Sequence, residues 1–303
     1  MKKLLVVSFF CLFFTHTVFA KIYKVGEKIL NNKIEIDKIS IELSEGDWIV
    51  ARKDEAHYGW LTQFLFGFIR IEDNEIMEAI EIYDGDMGSA FMGYIDEEIY
   101  RMTFKDPYDG CYQRPEYFLL EYFKSGIVHN CFKIRHWDFM KELYNPDDMH
   151  AEINSVDYRK FLEENSFKIP NVALVSWHSY FSRHNLSNWY RITHIINPKV
   201  LNAPKNKYLT EETSEYHKYN IEKYPLHKKV MNEWISISAQ FHKKFEILNN
   251  AKKHHKLELD KYIITKKNSQ STKDIVTNLK KLNDLYKSGI LSKEEFEKAK
   301  TKI

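Results

Sequence analysis

The sequence predicts an α+β protein, an antiparallel sheet covered by helices, with a small two-helix hairpin at its C-terminus. Three patterns predict it. Apolar and polar residues alternate in stretches broken by turn signals, one long apolar stripe with helical spacing runs from Leu226 to Leu248, and two short capped amphipathic segments occupy residues 273–303. The 303 residues are 44% apolar with only 10 Gly and 7 Pro, which supplies a core and excludes collagen-like or disordered chains.

The first twenty residues, MKKLLVVSFFCLFFTHTVFA, begin with two lysines, continue apolar from Leu4 to Phe14 apart from Ser8, and end on a small residue. That order is the signature of a secretory signal, with cleavage expected after Ala20 and a periplasmic or secreted destination. A retained N-terminus would instead tether the protein, but the apolar stretch falls short of the ~20 residues that span a bilayer. Cys11 sits behind Phe9 and Phe10, where a lipidated cysteine would follow small residues. Without this segment the chain carries 43 basic and 43 acidic residues. Residues 251–303 hold 14 lysines against 7 acids, so a +7 tail follows a −7 body at 21–250. Such asymmetry suits intramolecular docking or an anionic partner surface, and no basic-aromatic motif points to nucleic acid.

Within the body, expected at residues 21–254, Ile34, Ile36, Ile39, Ile41 and Leu43 alternate up to the turn signal Ser44-Glu45-Gly46-Asp47, and Trp48 and Val50 resume the pattern. This predicts a β-hairpin. A second is expected from Phe66, Phe68 and Ile71, then EDNE, then Ile76, Met77, Ile80 and Ile82, closed by YDGDMGSA as a turn. Residues 117–144 are aromatic and mixed; a strand is expected from Ile127 to Trp137 and a short helix from Phe139 to Tyr144. Asn154 to Asp157 reads as a capping box opening a helix through Glu164. NVALVSWHSYF and NWYRITHII read as two strands joined by SRHNLS.

The stripe Leu226, Val230, Trp234, Ile237, Phe241, Phe245, Leu248 is spaced 4, 4, 3, 4, 4, 3, with Pro225 at the first helical position. Lys228, Lys229, Glu233, Lys243 and Glu246 form the expected outer face. Its bulky apolar residues suit packing on a sheet. Residues 255–272 lack an apolar period, and their polar KKNSQST run predicts a linker.

At residues 273–303, Ile275, Leu279, Leu282 and Tyr286 follow helical spacing up to Lys287-Ser288-Gly289. Ile290 and Leu291 turn the corner, and Ser292 with Glu295 makes a capping box before Phe296, Ala299 and Ile303. Leu279, Leu282, Leu285, Gly289, Ile290, Leu291, Ser292, Glu295, Phe296 and Lys300 together resemble the short C-terminal domain family, SHOCT. The resemblance covers about a tenth of the chain, has Ser292 where Thr is usual, and lacks the family's Leu-Leu ending. It implies a small oligomerisation or docking module, with Leu279, Leu282, Leu285, Ile290, Leu291 and Phe296 as its contact residues. Physics agrees, because a hairpin this small ordinarily needs a partner to bury its apolar sides. The body also resembles uncharacterised secreted bacterial proteins whose hairpin carries Ile41, Leu43, Gly46 and Trp48, which adds no chemistry.

Chemistry is sparse. Cys111 and Cys131, the cysteines outside the signal, favour a disulfide in an oxidising compartment over a thiol nucleophile served by His129. His178, His184 and His194 match no ligand spacing, so no metal and no cofactor is expected. Nucleophile-elbow, phosphate-loop, dinucleotide and His-Glu-x-x-His motifs are missing, and no catalytic residue is assigned. Trp177, Trp189 and Tyr190 are candidates for an exposed stacking platform. The reading is a non-enzymatic exported binding protein that self-associates or docks to an envelope partner through its tail. Its rival is an exported hydrolase without a local motif.

Overall fold

Among the described residues, seven long strands hydrogen-bond into one antiparallel sheet and two short ones form a separate hairpin before it. In this computed structural model the described residues are 23–36, 39–58, 61–86, 110–115, 117–125, 128–138, 155–182, 188–207, 212–264, 280, 282–288 and 292–300. The strands are β1 (Lys33–Ile36), β2 (Ile39–Glu42), β3 (Asp47–Tyr58), β4 (Leu61–Glu72), β5 (Glu75–Asp86), β6 (Tyr117–Ser125), β7 (Val128–Asp138), β8 (Val172–Ser182) and β9 (Asn188–Ile196). The large sheet has the order β3-β4-β5-β9-β8-β7-β6, and β1 pairs with β2 apart from it. The helices are α1 (Ser155–Glu164), α2 (Pro225–Leu248) and α3 (Lys293–Lys300). The architecture is α+β, as the patterning predicts, and residues 282–287 are helical ahead of α3.

Local chemistry explains the joints. Gly46 has φ +136°, and a Cβ there would lie 2.9 Å from the Arg70 side chain, so only glycine fits this turn. Asp73 and Asn74 both take positive φ, 50° and 60°, the two-residue turn that matches strand twist and joins β4 to β5. The first predicted hairpin differs from the structure. Ile34–Leu43 is not one strand: β1 folds back on β2, pairing Ile34 with Ile41, and both strands point their isoleucines into the core. Tyr83 to Asp86 continue β5 rather than forming a turn. β6, which the mixed aromatic run conceals, pairs with β7 at the sheet edge.

One sheet face lies under α2. Val230, Met231, Trp234 and Phe245 pack there against Phe132, Leu174, Ile192 and their neighbours. The helix has the expected span, but its buried face is rotated from the predicted stripe. Leu226, Ile237 and Leu248 are exposed, whereas His227, Ser238, His242 and Glu246 are buried. Polar partners on the sheet draw His242 and Glu246 inward, as described below. Along the opposite face, Tyr158 and Leu162 of α1 meet Ala51, Ile69, Ala79, Val175 and Ile195.

The expected linker begins at residue 255, yet the chain stays packed to Ile264: Leu257 and Leu259 are buried beside α2, and the Ile264 amide donates to Ser236 Oγ at 2.8 Å. Cys111 and Cys131 are disulfide-bonded, with Cα atoms 6.2 Å apart, closing a loop of sequence separation 20. Such a loop contributes about 3 kcal/mol in the chain-entropy account. The signal segment, the Phe139–Tyr144 helix and residues 265–272 lie outside the described residues. Among the described residues no helix is long and apolar enough to cross a membrane.

Candidate functional site

Strand register sets two rows of polar side chains across the sheet face opposite α2. The first row runs Lys133, Trp177, Thr193, Glu81, Gly67, Arg52 over β7, β8, β9, β5, β4 and β3. The next runs Cys131, Ser179, Arg191, Tyr83, Leu65, Asp54 over the same strands. All of the charged members are buried: Lys133 is 1% exposed, Arg191 4%, Glu81 and Asp54 6%, Arg52 7%. Buried charges are rare and must find partners.

At one end Arg52 is paired with Asp54 and lies 4.0 Å from Glu81. Burial works against its charge, and Tyr83, Glu81 and Asp54 more than restore it, leaving its pKa raised. Gly67 makes this possible, since a Cβ there would stand 2.8 Å from Arg52 Cβ. In the middle, cations and rings alternate. The Arg191 guanidinium carbon is 3.5 Å from the Tyr83 ring centre and 4.3 Å from that of Trp177. Lys133 Nζ lies 3.9 Å from the same indole and 3.2 Å from Tyr117 Oη. A desolvated cation over an aromatic face gains about 2 kcal/mol, so a five-strand stack of Tyr83, Arg191, Trp177, Lys133 and Tyr117 holds two cations in a dry sheet face. The expected exposed platform is therefore corrected. Trp177 and Tyr190 are buried at 3% and 4%, because Trp177 serves as the wall between two cations and Tyr190 points under α2. The Trp189 side chain lies outside the described residues.

Under α2 a second polar system is fully enclosed. Asn130 Nδ2 donates to Glu246 Oε1 at 2.6 Å and to the His255 carbonyl at 3.1 Å. Its Oδ1 must then accept from His242 Nε2 at 2.9 Å, which leaves His242 Nδ1 bare. That nitrogen accepts from His178 Nδ1 at 3.0 Å, and His178 Nε2 accepts from Ser176 Oγ at 3.0 Å. One consistent assignment thus runs from Ser176 to Glu246 with both imidazoles neutral. Burial pushes His242 down to about 3; burial, then His242 and His194, push His178 well below its usual value. Ser176 is 0% exposed, so its hydroxyl is a donor locked in the chain rather than a nucleophile.

His178 and His194 face the same side of the sheet but are used differently. His194 Nε2 lies 3.3 Å from Glu78 Oε2, and Glu78 also accepts from Ser44 and Arg70. Burial opposes the Glu78 charge, and the His194 bond and these donors nevertheless draw its pKa down to about 2. His184 lies outside the described residues, and among those described no group of three His, Cys, Asp or Glu could hold a metal ion. Cys131 is bonded to Cys111, and His129 pairs with Tyr122 on the same strand face, so the two do not form a nucleophile and base.

At the C-terminus the capping box is complete. The Ser292 hydroxyl and amide both donate to Glu295 Oε2, at 2.7 and 2.9 Å, and the Glu295 amide donates to Ser292 Oγ at 3.3 Å. The Tyr286 and Phe296 rings stack 4.7 Å apart, clamping the two helical segments together. Residues 277–303 match the family model of the short C-terminal domain, SHOCT. In this SHOCT segment Leu282 is buried, Phe296 is half-buried, and Leu285 and Tyr286 are exposed at 40% and 37%. Leu279, Ile290 and Leu291 lie outside the described residues. No curated protein and no solved structure matches the chain significantly.

Sequence reasoning missed the polar rows. The available signal was period-two placement of Lys133 and Arg135 in one strand and of Arg52 and Asp54 in another, with Arg191 inside a run of β-forming residues.

Proposed function

We propose that this is an exported, non-enzymatic binding protein whose SHOCT segment joins it to a second copy. The observation that carries this reading is the pair Leu285 and Tyr286, exposed beside the Tyr286–Phe296 clamp on a hairpin too small to form a core of its own. The Cys111–Cys131 bond supports export, since disulfides persist in oxidising compartments. A signal cleaved after Ala20 and a periplasmic or secreted location complete the proposal, with an envelope protein as the alternative partner.

The test is the solution mass of the mature chain at micromolar concentration. Light scattering should give a multiple of the subunit mass for the native sequence and the single-subunit mass for Leu285→Asp with Tyr286→Asp. If both proteins scatter as single subunits, self-assembly is wrong.

A further inference from the structure

Arg191 is buried to 4% and, among the described residues, forms no ion pair and no hydrogen bond. Its Nε has no acceptor. The two rings that sandwich it satisfy the faces of the guanidinium and leave its in-plane N–H donors unused. Two further unfilled groups stand beside it. Ser179 Oγ, on the residue registered opposite Arg191, is fully buried without a partner, and so is Trp177 Nε1 two residues along β8. Arg191 and the indole N–H can only donate, the hydroxyl can donate, and the Lys133 ammonium lies against the other cation-bearing side of the same indole. An orphaned buried donor costs about 1–3 kcal/mol, and more when charged. Three such donors stand on two adjacent strands of one face, while the carboxylates of that face, Asp54 and Glu81, are turned to Arg52.

We infer that this cluster is a binding site for a carboxylate-bearing small molecule, with Arg191 as the bidentate anchor and Ser179 and Trp177 as flanking donors. Shape selects the carboxylate. It is planar and lies in the guanidinium plane, where two parallel N–H···O bonds form. A tetrahedral oxyanion would push oxygens out of that plane toward the electronegative faces of Tyr83 and Trp177.

The experiment uses the full mature chain, with sodium acetate, sodium succinate and inorganic phosphate as probes at constant ionic strength. Melting temperature and intrinsic tryptophan fluorescence are followed against probe concentration. Acetate or succinate should raise the melting temperature saturably and change the fluorescence, and phosphate should do neither. Arg191→Lys keeps the charge but loses the fork, and should weaken the fitted dissociation constant about 10-fold or more. Ser179→Ala, which removes one flanking donor and folds with less disturbance, should weaken it by about 5-fold. No saturable response to either carboxylate overturns the site. So does saturation by phosphate instead, or an unchanged dissociation constant in both variants.

Discussion

Glu246→Ala should lower the unfolding free energy by about 4 kcal/mol, a large share of the 5–15 kcal/mol that holds an ordinary domain together. The carboxylate is 1% exposed and accepts from two buried donors, the Leu257 amide at 2.7 Å and Asn130 Nδ2 at 2.6 Å. Truncation leaves the amide without any partner and the Asn130 donor with only its longer bond to the His255 carbonyl. Each orphan costs about 1–3 kcal/mol, and the vacated volume beside α2 adds to it. Glu246→Gln separates the hydrogen-bond role from the charge. Burial raises the Glu246 pKa, with the Leu257 and Asn130 bonds only partly opposing it, so the neutral form is already favoured relative to an exposed acid. A neutral amide of the same shape keeps the accepting oxygen and should cost within about 1 kcal/mol of nothing. Urea midpoints of the two variants at pH 7 decide it; equal losses in both would mean that charge, not acceptance, is what the site needs.

The contrast also explains why Glu246 was not recognised in the sequence. Its place on the helix wheel, among Lys243 and other polar residues, assigns it to solvent. Only the sheet supplies the reason to turn it inward, and Asn130 lies 116 residues away. The elements that were legible are those whose signals are local. Pro225 starts α2, Ser292 and Glu295 cap α3, and the β-rich runs around Trp177 and Ile192 become β8 and β9. β6 was concealed because its middle residues are all half-buried at the sheet edge, so no alternation marks it. The Arg191 cluster was out of reach for a stronger reason. Its members come from β5, β7, β8 and β9, and their neighbourhood exists only through register, which no stretch of sequence states.

Acid should unfold this protein steeply, beginning just below neutral pH. His178 and His242 are both fully buried and both held neutral by burial, His242 down to about 3. In the unfolded chain each takes up a proton near pH 6.5. Between those limits the unfolded state binds more protons, so stability is complete above pH 6.5 and falls as pH drops, by about 1.4 kcal/mol per pH unit for each histidine. Two histidines make the slope roughly 2.7 kcal/mol per pH unit at its steepest. His129, lowered to about 4 chiefly by burial and then by Lys124, and His227, lowered by burial, tilt the curve the same way. Glu246 tilts it the other way, since a raised carboxyl pKa favours the protonated native state as pH falls through it. Glu78, drawn down to about 2, adds a loss only below the ordinary carboxylate range near 4.5. The groups facing the two imidazoles are Glu246, Phe241 and Phe245 from α2, Asn130 and Phe132 from β7, Ser176 beside His178 on β8, and His194 from β9. Glu246 and His194 are the ionisable groups among them; Glu246 opposes the fall and His194 adds to it by lowering His178, so the buried histidines carry the slope between pH 7.5 and 5. Urea midpoints across that range should fall for the native protein, and the double variant His178→Phe, His242→Leu should lose most of the slope whatever its absolute stability. A flat native profile, or a slope untouched by the double variant, would show that the imidazoles do not carry the acid sensitivity.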